Sequence, residues 1–157
     1  MDTNLQLLKQ FYCELNVPQD VVSIDQRLVL QKVALLGQSV GVSLDYTYNW
    51  YVKGPYSPSL TEDYFKLQGY VDKPSQFKFN QAVKEKLNSL SEVIHKHDVD
   101  GKILPKWVEA LASIVFLIKK THKTEDEAIA VLFSQKSHID EDMRNDAIRN
   151  LKKINLI

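Results

Sequence analysis

Few side chains in this sequence have the spacing that chemistry demands. His95 and His97 stand two apart in a stretch that reads as helix, so their rings point in different directions. Paired metal ligands on a helix stand four apart instead. His122 and His138 have no second histidine at ligand spacing beside them. All four read as solvated polar positions, and no metal is expected. Cys13 sits beside Phe11, Tyr12 and Leu15 and reads as a buried, inert thiol. A nucleophile there would need a base that the sequence does not identify. Glu62 and Asp63 could share acid–base work. They also fall early in a predicted helix, where carboxylates interact favourably with the helix dipole. The five glycines are scattered singly, so there is no phosphate-cradling loop. The expectation is a protein without a catalytic site or cofactor.

Two lysine clusters could meet nucleic acid. Lys119, Lys120, His122 and Lys123 gather at a helix end, where cations suit the dipole. Lys73, Lys78, Lys84 and Lys86 surround a predicted hairpin and could touch a phosphate backbone. Twenty basic and twenty acidic side chains cancel, so the chain lacks the global field that favours DNA.

The remaining candidate is Tyr48-Asn49-Trp50-Tyr51-Val52-Lys53-Gly54-Pro55-Tyr56-Ser57-Pro58. It packs four aromatics, a Gly-Pro turn and a helix start into eleven residues. Strand alternation puts Tyr48, Trp50 and Val52 on one face, with Asn49, Tyr51 and Lys53 on the other. Trp50 and one tyrosine neighbour are expected in the core. Either helices cover both faces, or one face forms a partner groove anchored by Tyr51, Lys53 and Tyr56.

The elements that must position these residues are mostly helical. Leu5, Leu8, Tyr12 and Leu15 recur at helical spacing until Pro18. Asp25 is the expected cap of a second helix running to about Gly41, apolar around more than half its surface and so central. Ser57-Pro58 starts a third helix, which Gly69 is expected to stop. Tyr70-Val71 and Phe77–Phe79 flank a turn and read as a small wing. Asn80, Pro105, Thr124 with Glu127, and Asp140 each open a further helix. Ile129 and Phe133 are expected to face the core behind Thr124. The fold class is mainly α: a compact single domain over 1–157 of about seven helices with a short β-hairpin or wing, in a layout that winged-helix domains share.

A chain of 157 residues can bury a real core. One cysteine excludes an internal disulfide and suits a reducing compartment. The first residues carry no basic segment followed by an apolar run, so no signal peptide is expected. The longest apolar cluster, Ile114 to Ile118, is too short to span a bilayer. A cytoplasmic protein without a membrane role is the expectation.

Arg27-Leu28-Val29-Leu30-Gln31-Lys32, then Tyr48-Asn49-Trp50-Tyr51, Gly54-Pro55-Tyr56-Ser57-Pro58, Leu60 and Asp63 resemble the YwgA-like family of small prokaryotic proteins. More distantly they resemble the SocA-like (Panacea) antitoxin domains and the C-terminal domain of DarG-type antitoxins. The likeness is most specific over residues 25–69. It implies a compact helical domain with a small β element. For the antitoxin relatives it implies direct binding and neutralisation of a toxin. The resulting expectation is a non-enzymatic, antitoxin-like module acting on a protein partner through Tyr51, Lys53 and Tyr56. The alternative is a winged-helix-like DNA-binding regulator using Lys73, Lys78, Lys84 and Lys86.

Overall fold

A computed structural model describes residues 1–157. Its axis is a pair of packed helices, α2 (Ile24–Ser39) and α5 (Pro105–Val115). Every residue of α2 from Val29 to Gly37 is buried, as is every residue of α5 from Trp107 to Val115. Helices that bury all sides must be covered by others. Around them stand α1 (Thr3–Glu14), α3 (Pro58–Leu67), α4 (Gln81–Ile94), α6 (Glu125–Gln135) and α7 (Glu141–Lys153). The buried side chains join one hydrophobic core. No helix is long and apolar enough to cross a membrane.

Local chemistry starts these helices. Ser57 caps α3 with Pro58 in its first turn, Asn80 caps α4 and Asp140 caps α7. Thr124 and Glu127 form a reciprocal capping box on α6. At α2 the cap is Ser23, not Asp25. Ser23 Oγ accepts from the Gln26 amide, and the Gln26 side chain accepts from the Ser23 amide, each at 3.0 Å. Asp25 lies in the first turn.

Gly37 lets α1 approach α2. A Cβ there would lie 2.2 Å from the Phe11 ring. Cys13, on the opposite side of α1, is exposed rather than buried. Phe133 also faces solvent, beneath the Arg144 guanidinium 5.7 Å from its ring centre. The chain leaves α5 through a π-helical turn, Phe116–Lys120.

The β-hairpin exists, but not where the wing was expected. β1 (Asn49–Tyr51) pairs antiparallel with β2 (Gly54–Tyr56), Trp50 opposite Pro55. Residues 70–79 build no strand. After α3 the chain continues as a 3-10 turn, Gln68–Tyr70, so Gly69 does not stop the helix in a left-handed cap. The following segment is stitched to α1. Lys9 Nζ donates to the carbonyls of Tyr70 and Lys73, each at 2.5 Å. Ser75 Oγ donates to the Gln6 carbonyl, and the Gln76 amide donates to the Gln6 side chain. These side chains supply the partners that a wing would have found across its own ladder.

Candidate functional site

The hairpin segment is strung along α2 by side chains that mimic a strand. Gln38 donates to the Tyr46 carbonyl at 3.1 Å and accepts from its amide at 2.7 Å. Two turns earlier on the same face, Gln31 donates to the Ser57 carbonyl and accepts from the Ser57 amide, both at 2.9 Å. Tyr48, fully within the core, donates its hydroxyl to the Gln31 carbonyl at 2.9 Å. Both ends of the segment are therefore fixed to α2, with the hairpin between them.

Beneath the hairpin lies a buried charge cluster drawn from three helical regions. Lys32 of α2 is 1% exposed and donates to the Pro55 carbonyl at 2.6 Å. Lys136, just after α6, is 2% exposed and donates to the Val52 carbonyl. Glu109 of α5 answers it, with Oε2 3.2 Å from Lys136 Nζ. His138 Nε2 lies 2.7 Å from the other carboxylate oxygen. Two lysine Nζ groups thus grip backbone carbonyls on either side of the hairpin turn. Glu109 Oε2 receives the Lys136 charge without a directed hydrogen bond, and Ser113 Oγ beside it has no partner.

Gly54 makes that approach possible. Its φ is +83°, and a Cβ would lie 2.9 Å from Ser113 Oγ and 3.5 Å from Lys32 Nζ. Any side chain would strain the backbone and crowd the cluster.

Burial pushes the Lys32 ammonium down to about 7; Glu109 opposes this shift and Lys136 adds to it. With Lys32 neutral, Lys136 and Glu109 remain a balanced pair. With Lys32 charged, the buried trio carries a net positive charge. Low-dielectric surroundings disfavour that state.

Trp50 is only half-buried. Its ring stacks on Phe116 at 5.9 Å, takes the Lys136 ammonium at 5.5 Å, and donates to Gln135 at 3.1 Å. Tyr48 fills the core position, while Val52, expected on the same face, is 91% exposed at the turn. Three residues of strand end before alternation can carry it inward.

The residues expected at a partner surface come together. Tyr51 is 46% exposed, and its ring meets Tyr56 edge-on at 5.4 Å. Lys53 is exposed at the turn. Lys53 and Tyr56 line a shallow groove of about 190 Å³ between α2 and α3. Of the alternative set, Lys73, Lys78 and Lys86 are exposed and Lys84 is half-buried. None lines this groove.

Other candidates are engaged elsewhere. Asp63 accepts from the Tyr46 hydroxyl at 2.7 Å, while Glu62 stays exposed. Burial first, then this bond to Asp63, holds the Tyr46 phenol well above its ordinary range. His97 meets Asp146 at 2.6 Å, and His95 bridges Asp98 and the Leu15 carbonyl, each at 2.8 Å. Asp146 and Glu109 are remote in sequence from their histidines, so local spacing could not find them. Lys32 and Glu109 carried a legible signal: each is a charge inside an otherwise apolar helical run.

No protein-family model, curated protein or solved structure matches this chain.

Proposed function

We infer that this chain is a non-enzymatic protein-interaction module of the cytoplasm. It is antitoxin-like, neutralising or regulating a protein partner in a bacterial or phage conflict system. The observation that carries this reading is the hairpin turn. It is gripped from beneath by Lys32 and Lys136, yet it holds Tyr51 and Val52 out to solvent. Ile24 and Phe65, 64% and 47% exposed, extend the apolar surface along the neighbouring groove. Exposed aromatics on a rigid support are good anchors, because little freedom is lost when a partner covers them. The residues that resemble the antitoxin-related families also build this support: Gln31 and Lys32 hold it, and Gly54 to Ser57 are held.

The DNA-contact alternative drew on a wing at residues 70–79. That segment is instead tied to α1 by Lys9 and Gln6. No observation favours it over protein contact.

Expression of the neighbouring gene tests the proposal. Toxicity of that gene alone, relieved by this chain but not by its Tyr51→Ala, Lys53→Glu double variant, is the expected result. A harmless neighbour, together with native co-purification that yields no protein partner, would overturn it.

A further inference from the structure

The groove beside the hairpin is electrostatically one-sided. Arg27 and Lys53 bring positive charge to its lining, Lys32 is sealed beneath the hairpin on the Pro55 carbonyl, and no carboxylate lines it. Neither Arg27 nor Lys53 forms an ion pair. Arg27 instead donates to the Val21 and Val22 carbonyls, which leaves its charge unneutralised.

Its hydroxyl groups also hold a surplus proton. Thr61 Oγ1 lies 2.6 Å from the Tyr56 hydroxyl and 3.2 Å from the Tyr64 hydroxyl. It also accepts from the Gln31 amide at 2.9 Å. That amide cannot be turned around, because its oxygen accepts from the Ser57 amide. A threonine hydroxyl has one proton and two lone pairs. Gln31 takes one lone pair, so only one tyrosine can donate to Thr61. The other phenol keeps an O–H with no acceptor in the protein. Both tyrosines line the groove, and Tyr64 is 1% exposed.

A spare donor among unneutralised cations asks for an anionic acceptor. The walls formed by Ile24 and Phe65 ask for an apolar neighbour to it. We propose that this groove receives an acidic peptide segment of the protein partner. A carboxylate side chain meets Lys53 and the Tyr56 hydroxyl proton, left free when Tyr64 donates to Thr61 and Thr61 to Tyr56, and an adjacent apolar side chain lies against Ile24 and Phe65. This rests on the protein-interaction reading and gives that partner a chemistry.

The probe is a phage-displayed random heptapeptide library, selected on the wild-type chain and counter-selected on its Lys53→Glu, Tyr56→Phe double variant. A fluorescein-labelled copy of a winner is then titrated by anisotropy. Winners should pair Asp or Glu with an apolar residue. Lys53→Glu should weaken binding about tenfold, and Tyr56→Phe about fivefold. Changing the winner's acid to its amide should remove most of the Lys53→Glu effect. Lys53 is exposed and unpaired, so that variant keeps its fold even where Tyr56→Phe lowers the melting temperature. Winners without acidic residues that still need Lys53 and Tyr56 would overturn the carboxylate chemistry and leave the docking face intact. A selection in which every binder is lost to the counter-selection would overturn the groove as a docking face as well.

Discussion

Glu109 and Lys136 meet under the hairpin at 3.2 Å, with side chains 4% and 2% exposed. Neither charge can be solvated, so each depends on the other. Glu109→Ala leaves Lys136 buried and unpaired, and should cost about 3–5 kcal/mol of stability. Urea unfolding measures this. Glu109→Ala with Lys136→Met should cost less than the sum of the single changes, because the second change removes the orphaned charge.

Lys32 makes stability depend on pH. Its folded value, about 7, lies below the ordinary 10.5. Between those values the unfolded chain binds more protons at this group, so its contribution to stability rises with pH. Burial of the ammonium therefore weighs fully below pH 7 and is relieved progressively above it. Relative to Lys32→Met, the wild type should gain up to about 1.4 kcal/mol per pH unit within this window. Urea curves at pH 6.5, 8 and 9.5 test it. Higher pH would mix in the buried Tyr12 and Tyr48 phenols. Burial raises both well above their ordinary value, so their contribution is lost above about pH 10. A difference between the two proteins that stays flat from pH 7 to 9.5 would show that Lys32 is not held below its usual range.

Gly54 and Gly41 separate crowding from backbone strain. Both have positive φ, +83° and +109°. A Cβ at Gly41 meets nothing within 4 Å, whereas one at Gly54 is 2.9 Å from Ser113 Oγ. Gly41→Ala should cost only the conformational penalty, about 1 kcal/mol. Gly54→Ala adds steric conflict with the charge cluster and should cost about 2–4 kcal/mol. Equal losses would mean that the hairpin shifts freely off its support.

The helix starts were legible because each is set by neighbours in sequence. Ser57-Pro58, Asn80, Thr124 with Glu127 and Asp140 act within one turn of themselves. The central place of α2 followed from its apolar residues on all sides. One start was misplaced locally, at Asp25 instead of Ser23 with its Gln26 partner; the larger failures were set by residues far away. The stretch 70–79 has the composition of a wing, but Lys9 and Gln6 occupy its backbone groups. Trp50 reads as core, yet the partners that keep it at the rim, Phe116 and Gln135, belong to the second half of the chain. The partner surface was readable from its exposed aromatics. Lys32 stood out as a charge in an apolar run, but its role and that of Lys136 were not readable, because the carbonyls they grip become neighbours only on folding.

Trp107 and Trp50 give a matched pair for the core. Trp107 is fully buried and donates to the Val93 carbonyl at 2.7 Å. Trp107→Ala should cost about 3–5 kcal/mol. Trp50→Ala loses a partly exposed stack and a cation contact, and should cost about 2 kcal/mol. Thermal melts of the two variants rank them.

Tyr51 and Lys53 should show the opposite balance of stability and binding. Tyr51 is 46% exposed with its ring against Tyr56, and Lys53 has no ion-pair partner. Removing either leaves Lys32 on the Pro55 carbonyl and Lys136 on the Val52 carbonyl. The hairpin therefore keeps its support, and each single change should stay within about 0.5 kcal/mol of wild type. Binding depends on the same surface differently. An aromatic anchor at an interface can carry 2 kcal/mol or more, roughly thirtyfold in affinity. Tyr51→Ala should then weaken binding and neutralisation of the partner about thirtyfold while leaving the urea midpoint nearly unmoved. Lost stability with retained neutralisation would make the hairpin a scaffold only, and would move the search for a docking face to another side of the molecule.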